Sequence, residues 1–297
     1  MQDTPKISVV IVTWNSIVHV THCLLSLSQQ TLLDFEVILI DNGSTEDIEK
    51  VLGSQWTGLN ITLKLLTKNY GFAVANNIGA RLARGEWIIL LNADAYPEPN
   101  WLGNLLKAAQ QNPQYNFFSS RQIQYNDPHL LDGAGDEYHI SGLAWRRYYN
   151  HLENEHGFKQ EEVFGACAAA AMYRKEDFLN VGGFDEDYFS YFEDVDLSFR
   201  MRLAGGRCLY VSTAVVHHVG SASTGKTSDF SYYYVHRNLV WTFFKNMPPL
   251  LFWIFLPLHI MLNAFLSFFL WWKEGKIIVI KAKLDALRTL PAVLRKS

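Results

Sequence analysis

Cysteine is scarce: Cys23, Cys167 and Cys208 are the three in 297 residues, odd in number and far apart. That excludes a disulfide framework and a C-x-x-C metal site, and leaves buried free thiols in a reducing compartment as the expectation. An excess charge of one sign is missing too, since 26 Lys and Arg stand against 29 Asp and Glu for a formal net charge of -3. A general nucleic-acid binder would carry a basic excess or stripe, so nucleic acid is not an expected partner. No G-x-G-x-x-G follows the first apolar run, which removes the main support for a dinucleotide site and for an NAD-dependent oxidoreductase. The amino end, M-Q-D-T-P-K, lacks the apolar core of a signal peptide, so the catalytic part is expected in the cytoplasm. What is abundant is apolar character, 49% hydrophobic against 19% charged residues, more than a soluble domain needs, and this points to a membrane contact.

The order of elements predicts an α/β chain. Residues 7–14, I-S-V-V-I-V-T-W, form a β-branched run, and Asn15-Ser16 at its end is placed to cap a helix running through Gln29. Residues 35–42 repeat the arrangement, ending in Asp41 and the turn Gly43-Ser44-Thr45. Two strand-turn-helix units in succession predict a parallel sheet with right-handed crossovers. A third strand is expected over 63–67, then a helix carrying Phe72, Ala75, Ile78, Gly79 and Leu82 at helical spacing. Residues 87–94, W-I-I-L-L-N-A-D, deliver Asn92 and Asp94 to the carboxyl end of an apolar strand, the edge at which open α/β sheets bind ligands.

Beyond this half, a helix is expected over 101–111 and strands over 117–124 and 207–216. The polar, Gly-bearing stretch 127–157 reads as irregular, and a long irregular stretch inside a compact domain is usually functional or mobile. The small residues of 164–172 suit either close approach of a ligand or tight packing. Glu193, Asp194 and Asp196 lie at a predicted helix start, where acids ordinarily just complement the dipole. Tyr188, Phe189, Tyr191 and Phe192 precede them, and low-dielectric walls make a carboxylate a better base. His217 and His218 at the end of the last strand are either structural or metal ligands. An Asp after a strand, as at Asp41, is as often a helix cap as a ligand.

Six motifs in order, I-V-T-W-N, I-D-N-G-S-T, N-Y-G-F-A-V-A-N-N-I-G, L-L-N-A-D, F-E-D-V-D-L-S-F-R and H-H-V-G-S-A-S-T, resemble the inverting glycosyltransferases of family 2, and especially their rhamnosyltransferase-like branch. The resemblance covers residues 6–245 and implies a GT-A fold. It implies a Rossmann-like nucleotide-sugar-binding half over about 6–125, an acceptor-binding half over 126–245, and a mixed central sheet with helices on both faces. It places Thr13, Asn15 and Asp41 in the nucleoside pocket, and Gly71, Phe72 and Asn76 around the donor. Asp94 would hold Mg²⁺ or Mn²⁺ on the donor diphosphate, with Asn92 standing where the family's D-x-D element has its first Asp. His218 matches the third metal-side position, His217 being the fallback. Asp194 would be the catalytic base, with Glu193 and Asp196 on the acceptor side, Glu193 to contact the acceptor and Asp196 to support the helix start or orient a neighbour. No Q-x-x-R-W follows, so one sugar per encounter is expected. The donor guess at family level is dTDP-rhamnose and the acceptor a lipid-linked glycan or polysaccharide of the cell envelope. The competing reading, prompted by the missing first Asp, is a nucleotide-sugar-binding scaffold without turnover.

Residues 247–272 carry no charge and are long enough to span a bilayer, although Pro248, Pro249, Pro257, His259 and Asn263 interrupt them. Trp253, Trp271 and Trp272 suit an interface, and basic residues lie on both sides. A re-entrant or interfacial anchor on the cytoplasmic face is favoured over a true span, with residues 246–297 as the membrane-associating segment and basic tail. A buried helix of a homo-oligomer is the alternative.

Overall fold

The computed structural model describes residues 4–50, 52, 56, 58–220 and 228–295. Residues 221–224, the end of the H-H-V-G-S-A-S-T motif, lie outside them.

The chain runs β1 (Ile7–Thr13), α1 (Ile17–Ser28), β2 (Phe35–Asp41), β3 (Ile61–Leu65), α2 (Phe72–Leu82), β4 (Trp87–Asn92), β5 (Ala95–Pro97), α3 (Trp101–Gln111) and β6 (Phe117–Gln124). Then come β7 (Leu131–Gly133), β8 (Asp136–Tyr138), β9 (Ala144–Arg146), α4 (Glu153–His156), β10 (Glu161–Val163), β11 (Ala170–Arg174), α5 (Lys175–Asn180), α6 (Glu193–Leu203) and β12 (Cys208–His218). Three helices close it: α7 (Asp229–Asn246), α8 (Pro249–Glu274) and α9 (Ile277–Leu294).

One mixed sheet of order β10-β12-β6-β11-β4-β1-β2-β3 passes through both halves, with β5 paired to β12 and β7 to β6. The strands β3, β2, β1 and β4 are parallel, and β11 is inserted antiparallel between β4 and β6. The continuous apolar run of β1 is explained by burial on both faces. Ile7, Val9 and Ile11 point into one core with Val20, Leu24, Trp101 and Leu105 of α1 and α3. Val10 points into the other, with Ala75, Leu197 and Met201 of α2 and α6. Gly79 lets α2 lie against β1, since a Cβ there would meet Val10 Cγ1 at 2.3 Å.

Several expectations shift. The third strand is Ile61–Leu65, two residues earlier than 63–67, and the last strand runs on to include both His217 and His218. Stretch 127–157 is not wholly irregular, for it holds β7, β8, β9 and α4. Ser16 occupies the N-cap of α1 without a side-chain cap bond, its Oγ donating to Trp14 O instead. Glu46, from the next turn, accepts the Ile17 N–H at 3.0 Å and fills that role. The three cysteines are free and buried.

The carboxyl-terminal segment is one continuous 26-residue helix, α8, whose most apolar 18-residue stretch has a mean hydropathy of 1.9 and is scarcely buried. Its exceptions are local. His259 is 2% exposed, stacks on Phe243 with ring centroids 3.9 Å apart, and sits 2.7 Å from Ser141 O. Helix α9 packs on α7 through Val279, Ala282, Ala286 and Val293, and Trp241 of α7 donates to Ala286 O.

Candidate functional site

Because β1, β4 and β12 run in one direction, their carboxyl ends meet at one rim of the sheet. Over that rim lies a cavity of about 880 Å³. Asn92, Asp94 and His218 form one wall of it, and Asp136, Glu193 and Asp194 another; Phe189, Tyr191 and Phe192 also line it. Distant carboxylates at 94 and 194 thus face one open space.

The rim wall is set by register. Strand β5 pairs antiparallel with β12 so that Ala95 stands opposite His218, which brings the side chain of the preceding Asp94 beside that imidazole. His218 Nε2 lies 3.3 Å from Asp94 Oδ1 and 3.4 Å from Asn92 Nδ2. On the far side of the ring, Nδ1 lies 2.7 Å from Asp132 Oδ2, and Asp132 is ion-paired with Arg146. Burial alone would lower the His218 pKa, but hydrogen bonds to Asp132 and Asp94 outweigh it and raise the group above its ordinary value. His217 points elsewhere, toward Glu98 Oε1 at 3.4 Å, as strand alternation requires, and it does not line the cavity. The fallback assignment to His217 is therefore corrected.

The acidic wall starts α6. Asp194 Oδ1 accepts the Val195 N–H at 2.9 Å and Oδ2 the Ala168 N–H at 3.2 Å. Burial nevertheless raises its pKa, with the Ala168 N–H and Arg146 pulling the other way. Glu193 and Asp136 are pushed well above the usual carboxylate range, by burial first and then by the charge of Asp194. Glu193 Oε2 and Asp136 Oδ2 are buried and meet no protein partner. Arg146 is the one Lys or Arg among the residues that line the cavity.

Gly71 and Phe72 line the cavity, as do Trp14, Asn42 and Asn69. Gly71 has φ +90, and a Cβ there would meet Phe189 O at 2.7 Å, so the loop before α2 fits only with glycine. Asn42 accepts the Tyr70 N–H and donates to Asn69 Oδ1 and Gly71 O, holding that loop in place.

Other expected site residues turn away. Thr13 is buried with its hydroxyl unpartnered, and Asn15 Oδ1 accepts the Thr45 N–H at 2.8 Å. Both Asp41 oxygens serve Ser44, which is the capping reading. Asn76 Nδ2 donates to Phe72 O within α2. None of these four lines the cavity. Asp196 is wholly buried and ion-paired with Arg200 at 2.8 Å and Lys245 at 3.1 Å, and it accepts from Asn246 at 2.8 Å. These bonds clamp α6 to α7, so Asp196 has a supporting role and, not lining the cavity, no acceptor contact. Asp132, Asp136 and Arg146 were not singled out from the sequence. They fall in the polar stretch 127–157, and the pairings β6-β7 and β8-β9, with a bridge from Asp136 to Gly165, bring them to the rim.

Among the described residues no group of three or more His, Cys, Asp or Glu is arranged to hold a metal ion. Asp94 and His218 make a converging pair, and Asn92 adds a third side chain at the same point.

Residues 8–182 match the family model described as Glycosyl transferase family 2. The chain is 30% identical over 249 residues to the N-acetylglucosaminyl-diphospho-decaprenol L-rhamnosyltransferase of Mycobacterium tuberculosis, covering 75% of this chain and 79% of that protein. Its fold is similar to that of S. aureus TarS 1-349 in complex with UDP-GlcNAc, with TM-score 0.65 and 17% identity over 97% of this chain and 81% of the other. It is similar also to the mannosyltransferase PcManGT of Pyrobaculum calidifontis in complex with GDP-Man and Mn²⁺, with TM-score 0.60 and 18% identity over 98% and 76%.

Proposed function

The chain belongs to glycosyl transferase family 2 and is a glycosyltransferase of GT-A fold, and from that premise we propose that it moves one sugar from a nucleoside-diphosphate donor to a hydroxyl of a lipid-linked glycan acceptor, with inversion. The observation that carries the reading is the single cavity that Asp94, His218 and Asp194 all line. The donor half is residues 6–125, the acceptor half 126–245, and residues 246–297 meet the membrane. A donor such as dTDP-rhamnose and an acceptor with a prenyl diphosphate are favoured by the likeness to the mycobacterial enzyme.

In this mechanism Asp194 accepts the proton of the acceptor hydroxyl as its oxygen bonds to the anomeric carbon and the bond to the diphosphate oxygen breaks. A base must be ionised yet basic enough to take that proton, and the burial that raises its pKa serves this. Asp94, His218 and Asn92 would hold Mg²⁺ or Mn²⁺, two or three protein donors being enough where a diphosphate and water complete the coordination. The ion, when bound, stabilises the negative charge that grows on the leaving diphosphate. Phe189, Tyr191 and Phe192 line the same cavity and would exclude water from it once donor and acceptor fill it.

The test is donor-dependent transfer by wild type and by Asp194→Asn. The variant should keep donor affinity and lose about 10²- to 10⁴-fold in kcat. The wild-type acidic limb should lie above the ordinary aspartate value, because the raised group is ionised only at higher pH. Equal turnover by the two proteins would remove Asp194 from the chemistry, and absence of transfer by wild type with every donor would favour the scaffold.

The membrane contact is read as lying along the cytoplasmic face, not crossing it. His259, near the middle of α8, is held against the catalytic domain, so that depth of the helix is not free to sit at a bilayer centre. Ile254, Leu258, Met261, Phe265, Phe268 and Trp272 form an exposed stripe at alternating spacings of four and three. Ile277, Ile280, Leu284 and Leu287 form a second on α9. Residues 273–297 carry seven Lys and Arg against two acids, suited to anionic headgroups. Phe265→Glu together with Phe268→Glu should abolish co-flotation with anionic vesicles while leaving the fold intact.

A further inference from the structure

An imidazole that is to offer one nitrogen to a ligand must be prevented from turning about its χ angles, and the bond at its other nitrogen does this. At His218 that bond goes to Asp132, and both side chains are 2% exposed. The same oxygen, Asp132 Oδ2, also accepts from the guanidinium of Arg146. The three residues come from three strands: β12, β7 and β9. Strand β6 pairs with both β7 and β12, so the backbone fixes the distance between Asp132 and His218. Arg146 is opposite Asp136 in the β8-β9 ladder, on the acidic wall.

Resting on the reading that the rim binds a divalent cation, we infer that Asp132 and Arg146 are a positioning pair that aims His218 Nε2 at Asp94. Asp132 does not line the cavity, and Arg146, which does, acts on the ion through Asp132. Asp132 accepts from Nδ1–H, which leaves Nε2 as the ligating nitrogen. Arg146 fixes the rotamer of Asp132 and offsets its charge. The donor-side site is then incomplete without residues of the acceptor half.

A plain structural ion pair would hold β9 to the sheet but would leave cation affinity unchanged in the folded protein. Mn²⁺ titration of the full chain, followed by the electron paramagnetic resonance of the free ion, separates the two roles without turnover. Asp132→Ala should weaken Mn²⁺ about 10- to 100-fold. Asp132→Asn, whose amide oxygen still accepts from Nδ1–H, should recover part of the loss. Arg146→Met should weaken Mn²⁺ by a smaller factor, and Arg146→Lys should restore it. Unchanged Mn²⁺ affinity in a folded Asp132→Ala overturns the inference while leaving the cation reading intact. If Asp132→Ala does not fold, Arg146→Met decides, and affinity within about twofold of wild type overturns it. Failure of the wild type to take up Mn²⁺ overturns the cation reading and this inference with it.

Discussion

On the rim wall, Asp94 meets His218, His218 meets Asp132, and Asp132 meets Arg146, a chain of side chains each holding the next. On the acidic wall, Asp136 Oδ2 and Glu193 Oε2 are buried and meet no protein partner. A buried polar atom without a hydrogen bond costs about 1–3 kcal/mol, so the second wall is held at an expense to stability that the first avoids. On the proposed reading, a donor diphosphate is the same at every turnover and suits groups already fixed in place, whereas the two unpaired oxygens of the acidic wall are closed off from solvent.

Substitutions can break or sharpen this contrast. The largest effect is expected at Asp94→Ala, which removes one side of the converging pair: donor affinity in the presence of Mn²⁺ should fall by more than about tenfold, with affinity in chelator unchanged. Calorimetric titration with the nucleotide reads this, and equal loss in chelator would mean that Asp94 contacts the donor without an ion. Glu193→Gln should act in the opposite direction on stability. The folded-state pKa of Glu193 lies above its unfolded value, so the folded state binds the extra proton and wild-type stability falls as pH rises between the two. The amide removes that fall, giving a gain of about 1 kcal/mol at pH 8 and little at pH 4, measured by urea unfolding at each pH. No gain at pH 8 would show that Glu193 carries no burial penalty. The smallest effect is expected at His217→Ala, within about 0.5 kcal/mol in stability and with unchanged Mn²⁺ affinity. A large loss of Mn²⁺ binding there would reverse the assignment of the two histidines.

The strands β1, β2 and β4 and the helices α2, α3 and α6 were legible because each is buried on a stripe or on both faces, and burial writes periodicity into a single segment. The placement of Asp94 and Asp194 at one cavity was legible for the related reason that each ends or begins such a segment. Asp132 and Arg146 were not. Their environment is made by partners 86 and 14 positions away, and L-D-G or A-W-R carries no local mark of it. Asp41 and Asp196 show the converse error. An acid at a strand end or helix start looks the same in sequence whether it faces a ligand or caps a turn, as Asp41 does, or pins one helix to the next, as Asp196 does through Lys245.

Two neighbouring imidazoles leave β12 on opposite faces, and what chooses between them is the short ladder that sets Ala95 across from His218 and Tyr96 across from His217. Sliding that three-residue strand by a single position would turn Asp94 toward the His217 face, while both rings stay where the ladder with β6 holds them. The ladder therefore works as a vernier, translating an offset of one peptide unit into which of two identical groups Asp94 meets. An inserted or deleted residue between Asn92 and Pro97 would misalign it, with every side chain of the rim still present.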